Sequence, residues 1–430
     1  MPRPAALLVA QQASVAGRGT NLGAMATKRR FPRWSEVRPL LQMEPLGFGP
    51  AARVARAHDV NDLRRMARRR TPRAAFDYVD GAATNEVSMR RDQEAFDRVE
   101  FHPRVLRDVA AIDTSTTVLG RRAALPLGFG PTGFTRMMQH EGEIAVAAAA
   151  TRAGIPYALS TMGTTSIEAL AEAAPKADLW FQLYVWRDRE RSRDLIARAR
   201  ETGYSGLMLT VDVPVNGARL RDSRNGLTFP PSLSPRTLAG MARFPSWWMN
   251  KLTTEPLAFA SLAPGSPQGV MDLIASLFDP TVTFDDIAWM REQWDGPLLV
   301  KGIQHPDDAR HVADLGVDAV VVSNHGGRQL DRAVTPLEML PQVLDAVGGD
   351  AEVLLDGGVR SGSDAVAAVA LGARAVLLGR AYLYALMAGG EAGVDRLCAL
   401  LEADVRRTMA LLGATSIDDL SPEMVRLRPA

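Results

Sequence analysis

From residue 125 onward, short runs of Val, Leu and Ile alternate with longer stretches whose apolar residues recur at helical spacing. Continuous apolar runs of this length read as strands buried on both faces, and their alternation with helices is the pattern of βα units around a parallel sheet. Eight such runs occur: LPLGFG (125–130), YALS (157–160), LWFQLYV (179–185), GLMLTVD (206–212), LLVKGI (298–303), AVVVSNH (319–325), EVLLDGG (352–358) and AVLLGR (375–380). Segments such as EGEIAVAAAATRAG (141–154), RSRDLIARARETG (191–203), PDDARHVADLG (306–316) and SGSDAVAAVALG (361–372) supply helices between them. Eight repeats predict an α/β fold of the (β/α)8 TIM-barrel type. A helical N-terminal segment precedes the barrel, and a long insertion, about 223–275, follows its fourth strand.

At 430 residues with 47% hydrophobic content, the chain can bury a large core, and nothing in its balance points to disorder. Lys plus Arg (50) nearly cancels Asp plus Glu (49), so no global field favours a nucleic acid partner. Cys398 is the sole cysteine, which excludes internal disulfides and cysteine-rich metal sites; no metal is expected, and a cytoplasmic location is. The apolar run AALLVA is too short to span a bilayer, and the better-patterned text begins near Met25. Residues 1–57 are expected to form a partly disordered extension, with Met1 and Met25 both open as the true start, and 58–430 the functional domain. The basic run RRMARRR (64–70) reads as a solvated helix face, with contact to anionic lipid as the alternative.

Catalytic groups of such a barrel gather where its strands end, and phosphate binds the loops after strands seven and eight. Strand seven ends in Asp356, Gly357, Gly358 and Arg360, and strand eight in Gly379 and Arg380. Glycines let backbone amides approach an anion and arginines supply charge, so a phosphorylated ligand is expected there. GFGPTG (128–133) does match a dinucleotide glycine spacing, but Pro131 removes an amide donor and no acid ends the next strand to hold a ribose. The other strand ends carry Pro131, Thr132 and Gly133, then Ser160, Gln182 with Tyr184, Thr210 with Asp212, Lys301, and Ser323 with His325. Each has a structural explanation by itself, as a helix cap, a backbone partner or a solvated cation, but six strand ends agreeing calls for a shared site. In SNHGGRQLD (323–331), an imidazole that accepts a proton near neutrality is followed three residues on by Arg328, which can fork onto a carboxylate. A small carboxylic acid with an acidic proton nearby is the implied substrate.

SNHGGRQLD, LDGGVRSGSD, FQLY, TVD and VKG, in an order that covers roughly residues 60–425, resemble the FMN-dependent α-hydroxy acid dehydrogenase and oxidase family. The longer pattern of TPRAAFDY, GPTGFTR, GARLRD, TTEPLAFAS and GRAYLYALMAGGEAG is most similar to its actinobacterial quinone- or cytochrome-linked L-lactate dehydrogenases. The resemblance implies that His325 is the active-site base and that Asp212 orients it. It implies that Arg219 and Arg328 hold the substrate carboxylate with help from Tyr78 and Tyr184, and that Lys301 lies at the pyrimidine end of FMN. Pro131, Thr132, Gly133, Ser160, Gln182, Thr210 and Ser323 would make the remaining flavin contacts, with the phosphate against the loop of Asp356, Gly357, Gly358 and Arg360 and against Gly379 and Arg380. The tyrosine segment FDYVDGA is one residue shorter than in plant-type members, and Met162 stands where some relatives place tryptophan, which leaves side-chain preference open.

The implied reaction oxidises an L-2-hydroxy acid, L-lactate to pyruvate, with electrons passing to a quinone or cytochrome. A hydroxy acid oxidase using O2 and a mycofactocin-type peptide-modifying flavoprotein are the alternatives; hydride transfer and a carbanion path both remain open. Arg219 and Arg328 favour a free carboxylate over a peptide, and a non-enzymatic flavin or phosphate scaffold leaves Asp212, His325 and Arg328 without a purpose. In the insertion, Trp247, Trp248 and Met249 beside Lys251 have the composition of a lid over the mouth or of an interfacial anchor, so peripheral contact with the inner face of the cell membrane is also open. The family resemblance further implies a homotetramer, for which the apolar helical pattern after residue 385 is suited.

Overall fold

The computed structural model describes residues 30–38, 47–226, 242–262 and 279–429. The chain divides into two units, Met1–Leu46 and Gly47–Ala430. The described part of the first holds one short helix, Trp34–Val37. Residues 1–24 and the insertion segments 227–241 and 263–278 lie outside the described residues. Helix Gly49–Val54, grouped with the extension on sequence grounds, belongs to the same compact unit as the barrel.

Eight parallel strands close on themselves in the second unit: β1 (Leu127–Phe129), β2 (Tyr157–Ser160), β3 (Leu179–Leu183), β4 (Gly206–Thr210), β5 (Leu298–Ile303), β6 (Ala319–Val322), β7 (Glu352–Asp356) and β8 (Ala375–Leu378). Each pairs with its successor, and β8 returns to β1 through Val376 opposite Leu127. The eight apolar runs are these eight strands. Where the sequence runs extend past the strands' C-terminal ends, most of the excess is polar or glycine: Tyr184, Asp212, Ser323 to His325, Gly357, Gly358, Gly379 and Arg380 all fall just past the ladder. Leaving the ladder frees their backbone and side chains for a ligand.

Alternation along the strands separates two cores. Ala158, Trp180, Met208, Leu299, Ala319, Val321, Leu354, Ala375 and Leu377 fill the barrel interior with Val118, Leu119 and Ala123. The last three come from an antiparallel hairpin, Thr116–Val118 with Arg121–Ala123, which plugs the N-terminal end. Their neighbours, among them Phe181, Leu209, Val300, Val322 and Leu355, face outward into the main core beneath the helices. With one end plugged, the C-terminal end is left for a site.

Three helices before the barrel, Val60–Arg70, Arg73–Asp80 and Val87–Asp97, supply residues at that open end. Arg64 in the basic run is not simply solvated, since its Nη2 lies 2.9 Å from the buried Asp80 carboxylate. The long helix Glu391–Leu412 buries Val394, Leu397, Leu401, Val405 and Met409 within its own chain.

Glu143, fully buried on helix Gly142–Ala153, accepts hydrogen bonds from the backbone N and hydroxyl of Thr164 (2.6 and 2.7 Å) and from the Thr165 hydroxyl (2.9 Å). It thereby fixes the loop after β2 that carries Met162. Replacing Glu143 by Ala orphans these donors and should cost roughly 2–4 kcal/mol, seen as a lower denaturation midpoint.

Candidate active site

The loop after β6 is built around an unusual backbone. His325 has φ +59°, followed by Gly326 and Gly327 at φ +61° and +72°. A left-handed conformation is ordinary for glycine but costs a β-carbon-bearing residue about 1–3 kcal/mol. Local hydrogen bonds hold it: the Ser323 hydroxyl accepts from the His325 N–H at 3.0 Å, and the Asn324 side-chain oxygen accepts from the Gly327 N–H at 3.0 Å. The two glycines in SNHGG therefore serve the turn that aims the imidazole.

That aim brings His325 Nδ1 to 2.9 and 3.1 Å from the two carboxylate oxygens of Asp212, in the loop after β4. An ionised carboxylate can only accept, so Nδ1 carries the proton and Nε2 keeps its lone pair. Gly302 of β5 makes room for the pair, because a β-carbon there would sit 2.7 Å from that of Asp212. Burial is the largest influence on His325 and lowers its proton affinity below the ordinary value; Asp212 opposes this without overcoming it. Burial would raise the Asp212 carboxyl, but the His325 ring and Lys301 outweigh it and hold it below the usual carboxylate range. The pair at neutral pH is thus neutral imidazole on an ionised carboxylate. Asp212 by itself makes His325 more basic, but desolvation is the greater influence.

Lys301, 3% exposed, completes the base's surroundings by donating to the Ser323 hydroxyl at 2.9 Å and lying 3.4 Å from Asp356. Ser323 in turn donates to Asp356 at 3.1 Å. Strands β5, β6 and β7 are joined at their ends through this one chain of polar contacts.

Opposite the base stand two guanidinium groups. Arg219 presents an Nε that is buried without a hydrogen-bond partner among the described residues. Arg328 donates to the Tyr78 and Gly81 carbonyls at 2.7 and 3.2 Å and lies over the Tyr78 ring, 5.0 Å from its centroid. Burial, followed by the nearby Arg219, pushes Arg328 down to about 9. A guanidinium stays charged at neutral pH even so, and the shift reports positive charge held out of water, with Asp222 opposing it only in part. Burial also keeps the Tyr184 hydroxyl protonated, leaving it a donor.

The cavity between these groups runs from Arg219 and Tyr184 to Gly358, Arg360 and Gly379. All the expected site residues line it except Asp212, Gln182, Thr210 and Ser323. Asp212 and Ser323 support His325 from behind, and Gln182 accepts from the Ser160 hydroxyl at 3.1 Å. Gln182 Nε2 and Thr210 Oγ1 are buried without partners among the described residues, and Thr210 lines a neighbouring cavity. Gly357 and Gly358 have φ of +110° and +86°, and a β-carbon on Gly358 would meet the Asp92 carbonyl at 2.5 Å. Beside them, the Arg360 guanidinium has no hydrogen bond or ion pair among the described residues, an anion-ready arrangement. Arg380 is used differently. It donates to the carbonyls of Val79, Gly326 and Gly81 at 3.0, 2.8 and 2.8 Å, tying the roof to the base's loop.

That roof is helix Arg73–Asp80, which carries Tyr78. Arg221, two residues after Arg219, reaches Asp80 at 2.9 Å and also pairs with Glu86, while Tyr384 donates to Asp80 at 2.8 Å. Burial works to raise the Asp80 carboxyl, but Arg64, Tyr384 and Arg221 hold it down, to about 2. Arg221, Asn324, Gly302 and Asp92 were not singled out from the sequence. Only the second arginine of GARLRD and the polar residue between Ser323 and His325 carried any local signal.

The closed barrel thus gathers a carboxylate-supported imidazole, guanidinium groups and a glycine-rich, anion-ready loop in one cavity. The family described as FMN-dependent dehydrogenase matches residues 67–427. A Mycobacterium tuberculosis protein provisionally named an L-lactate dehydrogenase is 54% identical over 404 residues, covering 93% of this chain and 97% of its own. The L-lactate dehydrogenase of Caulobacter vibrioides is 44% identical over 373 residues, covering 85% and 97%. Among solved structures, the monotopic membrane protein (S)-mandelate dehydrogenase superposes with a TM-score of 0.84 at 40% identity, covering 87% of this chain and 100% of its own. The chain belongs to the FMN-dependent dehydrogenase family.

Two outcomes follow from the His325–Asp212 pair. Exchanging Asp212 for Asn should lower kcat by about two to four orders of magnitude while the protein stays yellow, because the ring loses its tautomer rather than its place. With the base required neutral and its proton affinity lowered, kcat/KM should be flat at neutral pH and fall on the acid side with an apparent pKa below about 6.5. A rise through a higher pKa would contradict the assignment.

Proposed function

We propose that the protein oxidises L-lactate to pyruvate and passes the electrons to a quinone or cytochrome. The observation that carries this is the placement of a neutral, carboxylate-supported imidazole in one cavity with Arg219 and Arg328, two half-buried cations that form no ion pair among the described residues, Asp222 acting on them only at longer range. A 2-hydroxy acid supplies both missing parts, a carboxylate for the guanidinium groups and an acidic hydrogen for Nε2.

Bound FMN supplies the two-electron acceptor. Pro131, Thr132, Gly133, Ser160, Gln182 and Thr210 would hold its ring system, Lys301 its pyrimidine end, and Gly358, Arg360 and Gly379 its phosphate. The unpartnered atoms of Gln182, Thr210 and Arg360 support this fit. Arg219 and Arg328 orient the substrate carboxylate with the Tyr78 and Tyr184 hydroxyls beside it. His325 takes the substrate proton at Nε2, and Asp212 stabilises the imidazolium that results. Positioning of this kind is worth up to roughly 7–11 kcal/mol of the barrier. The two arginines favour a free carboxylate over a peptide substrate, and the names of the relatives favour lactate.

The insertion bears on the acceptor. Helix Pro245–Leu252 is fastened down by Trp247, whose Nε1 donates to the Met137 carbonyl at 3.1 Å, and by Lys251, which donates to the Arg136 carbonyl. Its other side leaves Met249 and Leu252 exposed, at 48% and 72%. That division supports both ideas for the segment: it packs as a lid, and its outer apolar side suits a membrane surface. No helix of the described residues is long and apolar enough to cross a membrane. We place the enzyme in the cytoplasm, peripheral on the membrane, and as a homotetramer by the family's habit.

Anaerobic L-lactate should bleach the flavin absorbance, and a quinone analogue should restore it faster than air does; rapid peroxide formation instead would make the chain an oxidase. Replacing Arg328 by Lys should raise KM for L-lactate about 10- to 100-fold, the loss expected for one charge-assisted contact.

A further inference from the structure

Helix Val87–Asp97 presents Met89, Asp92 and Gln93 to the cavity, one face at helical spacing. Asp92 is 2% exposed, and its two carboxyl oxygens differ. Oδ1 accepts a hydrogen bond from Asn324 Nδ2 at 2.7 Å, whereas Oδ2 is buried without a partner among the described residues. Its backbone carbonyl packs against Gly358, and its side chain lines the same cavity as that glycine. No arginine or lysine pairs with it among the described residues: Arg380, whose charge acts on it, is engaged by three backbone carbonyls.

We propose that Asp92 is a neutral carboxylic acid in the holoenzyme and donates its Oδ2 hydroxyl to the phosphate of bound FMN, so that cofactor binding takes up a proton. An ionised carboxylate there would repel the phosphate, whereas the acid form gives it a hydrogen bond. The surroundings favour the acid. Burial is the largest influence, raising Asp92 to about 7; Asn324 and Arg380 oppose it, and Asp356 and Glu338 add to it. Arg360, from the loop after β7, lines the same cavity and is left for the phosphate. Through Asn324, which also caps Gly327, the acid links the phosphate end to the turn that holds His325. The proposal rests on the phosphate lying against the glycine loop after β7.

The sign of the linkage is fixed. Free protein loses the Asp92 proton near pH 7, and bound phosphate raises its pKa further, so above that pH binding must draw a proton from solvent. The flavin phosphate is already fully ionised there, its second ionisation lying near about 6. Titration of the flavin-stripped, full-length protein in buffers of different ionisation enthalpy should therefore show uptake of close to one proton per FMN above neutrality and none with riboflavin. FMN affinity should fall up to about tenfold per pH unit in that range. Asp92→Asn should abolish the uptake and flatten the dependence. As a check needing no variant, the infrared spectrum of the holoenzyme should keep a protonated-carboxyl band well above neutral pH. Absence of that band, or proton uptake unaltered in Asp92→Asn, would overturn the proposal. Arg360→Ala separates the two levels: it should weaken FMN more than riboflavin. Equal losses would put the phosphate elsewhere and remove both readings, while unequal losses without proton uptake would remove this one alone.

Discussion

The hydrogen bond between His325 and Asp212 joins the loops after β6 and β4, and most of the site's construction exists to permit it. The imidazole reaches the carboxylate only from a left-handed backbone, and Asp212 can lie where it does only because β5 has a glycine beside it. Ser323 and Asn324 hold the turn, and Ser323 is itself held by Lys301 and Asp356. Strain at His325 is therefore offset by a polar chain crossing three strand ends. The result is a base with a defined tautomer and a proton affinity low enough to be free at neutral pH.

Positive charge is the second organising quantity. Arg219, Arg328, Arg360 and Lys301 all line the cavity, and the first three lack a carboxylate partner among the described residues. Burying such groups is costly unless an anion arrives, which is the physical ground for the proposal that a carboxylate completes one end and a phosphate the other. Arg221 and Arg380 have the complementary role. Each binds the roof, one through Asp80 and Glu86, the other through main-chain carbonyls, and together they set Tyr78 over the mouth.

Arg380 lines the cavity as its place after β8 suggests, and it also makes contacts that the local pattern does not show. Its position after β8 is that of a phosphate ligand, yet its guanidinium turns toward segments 79–81 and 326, which are remote in sequence. Nothing local distinguishes it from Arg360, which does stay unpaired in the cavity. Asp92 was invisible for the opposite reason: one of three acids in a helix that also carries two arginines, it reads as a surface charge. Only docking of that helix against the β7 loop makes it a buried carboxyl with one oxygen unmatched.

The strand count, the closed barrel and the end of it that holds the chemistry were determined by sequence alone, because buried parallel strands write themselves as continuous apolar runs and ligand-facing residues follow at once. That His325, Arg328, Lys301 and the glycine loops meet at one cavity was legible for the same reason, each lying beside its own strand. Tertiary structure alone decided which cations remain free, which carboxyl goes unmatched, and that desolvation outweighs Asp212 in setting the base. Those outcomes depend on distances between chain segments far apart in sequence and on the water excluded from between them, and neither quantity is local.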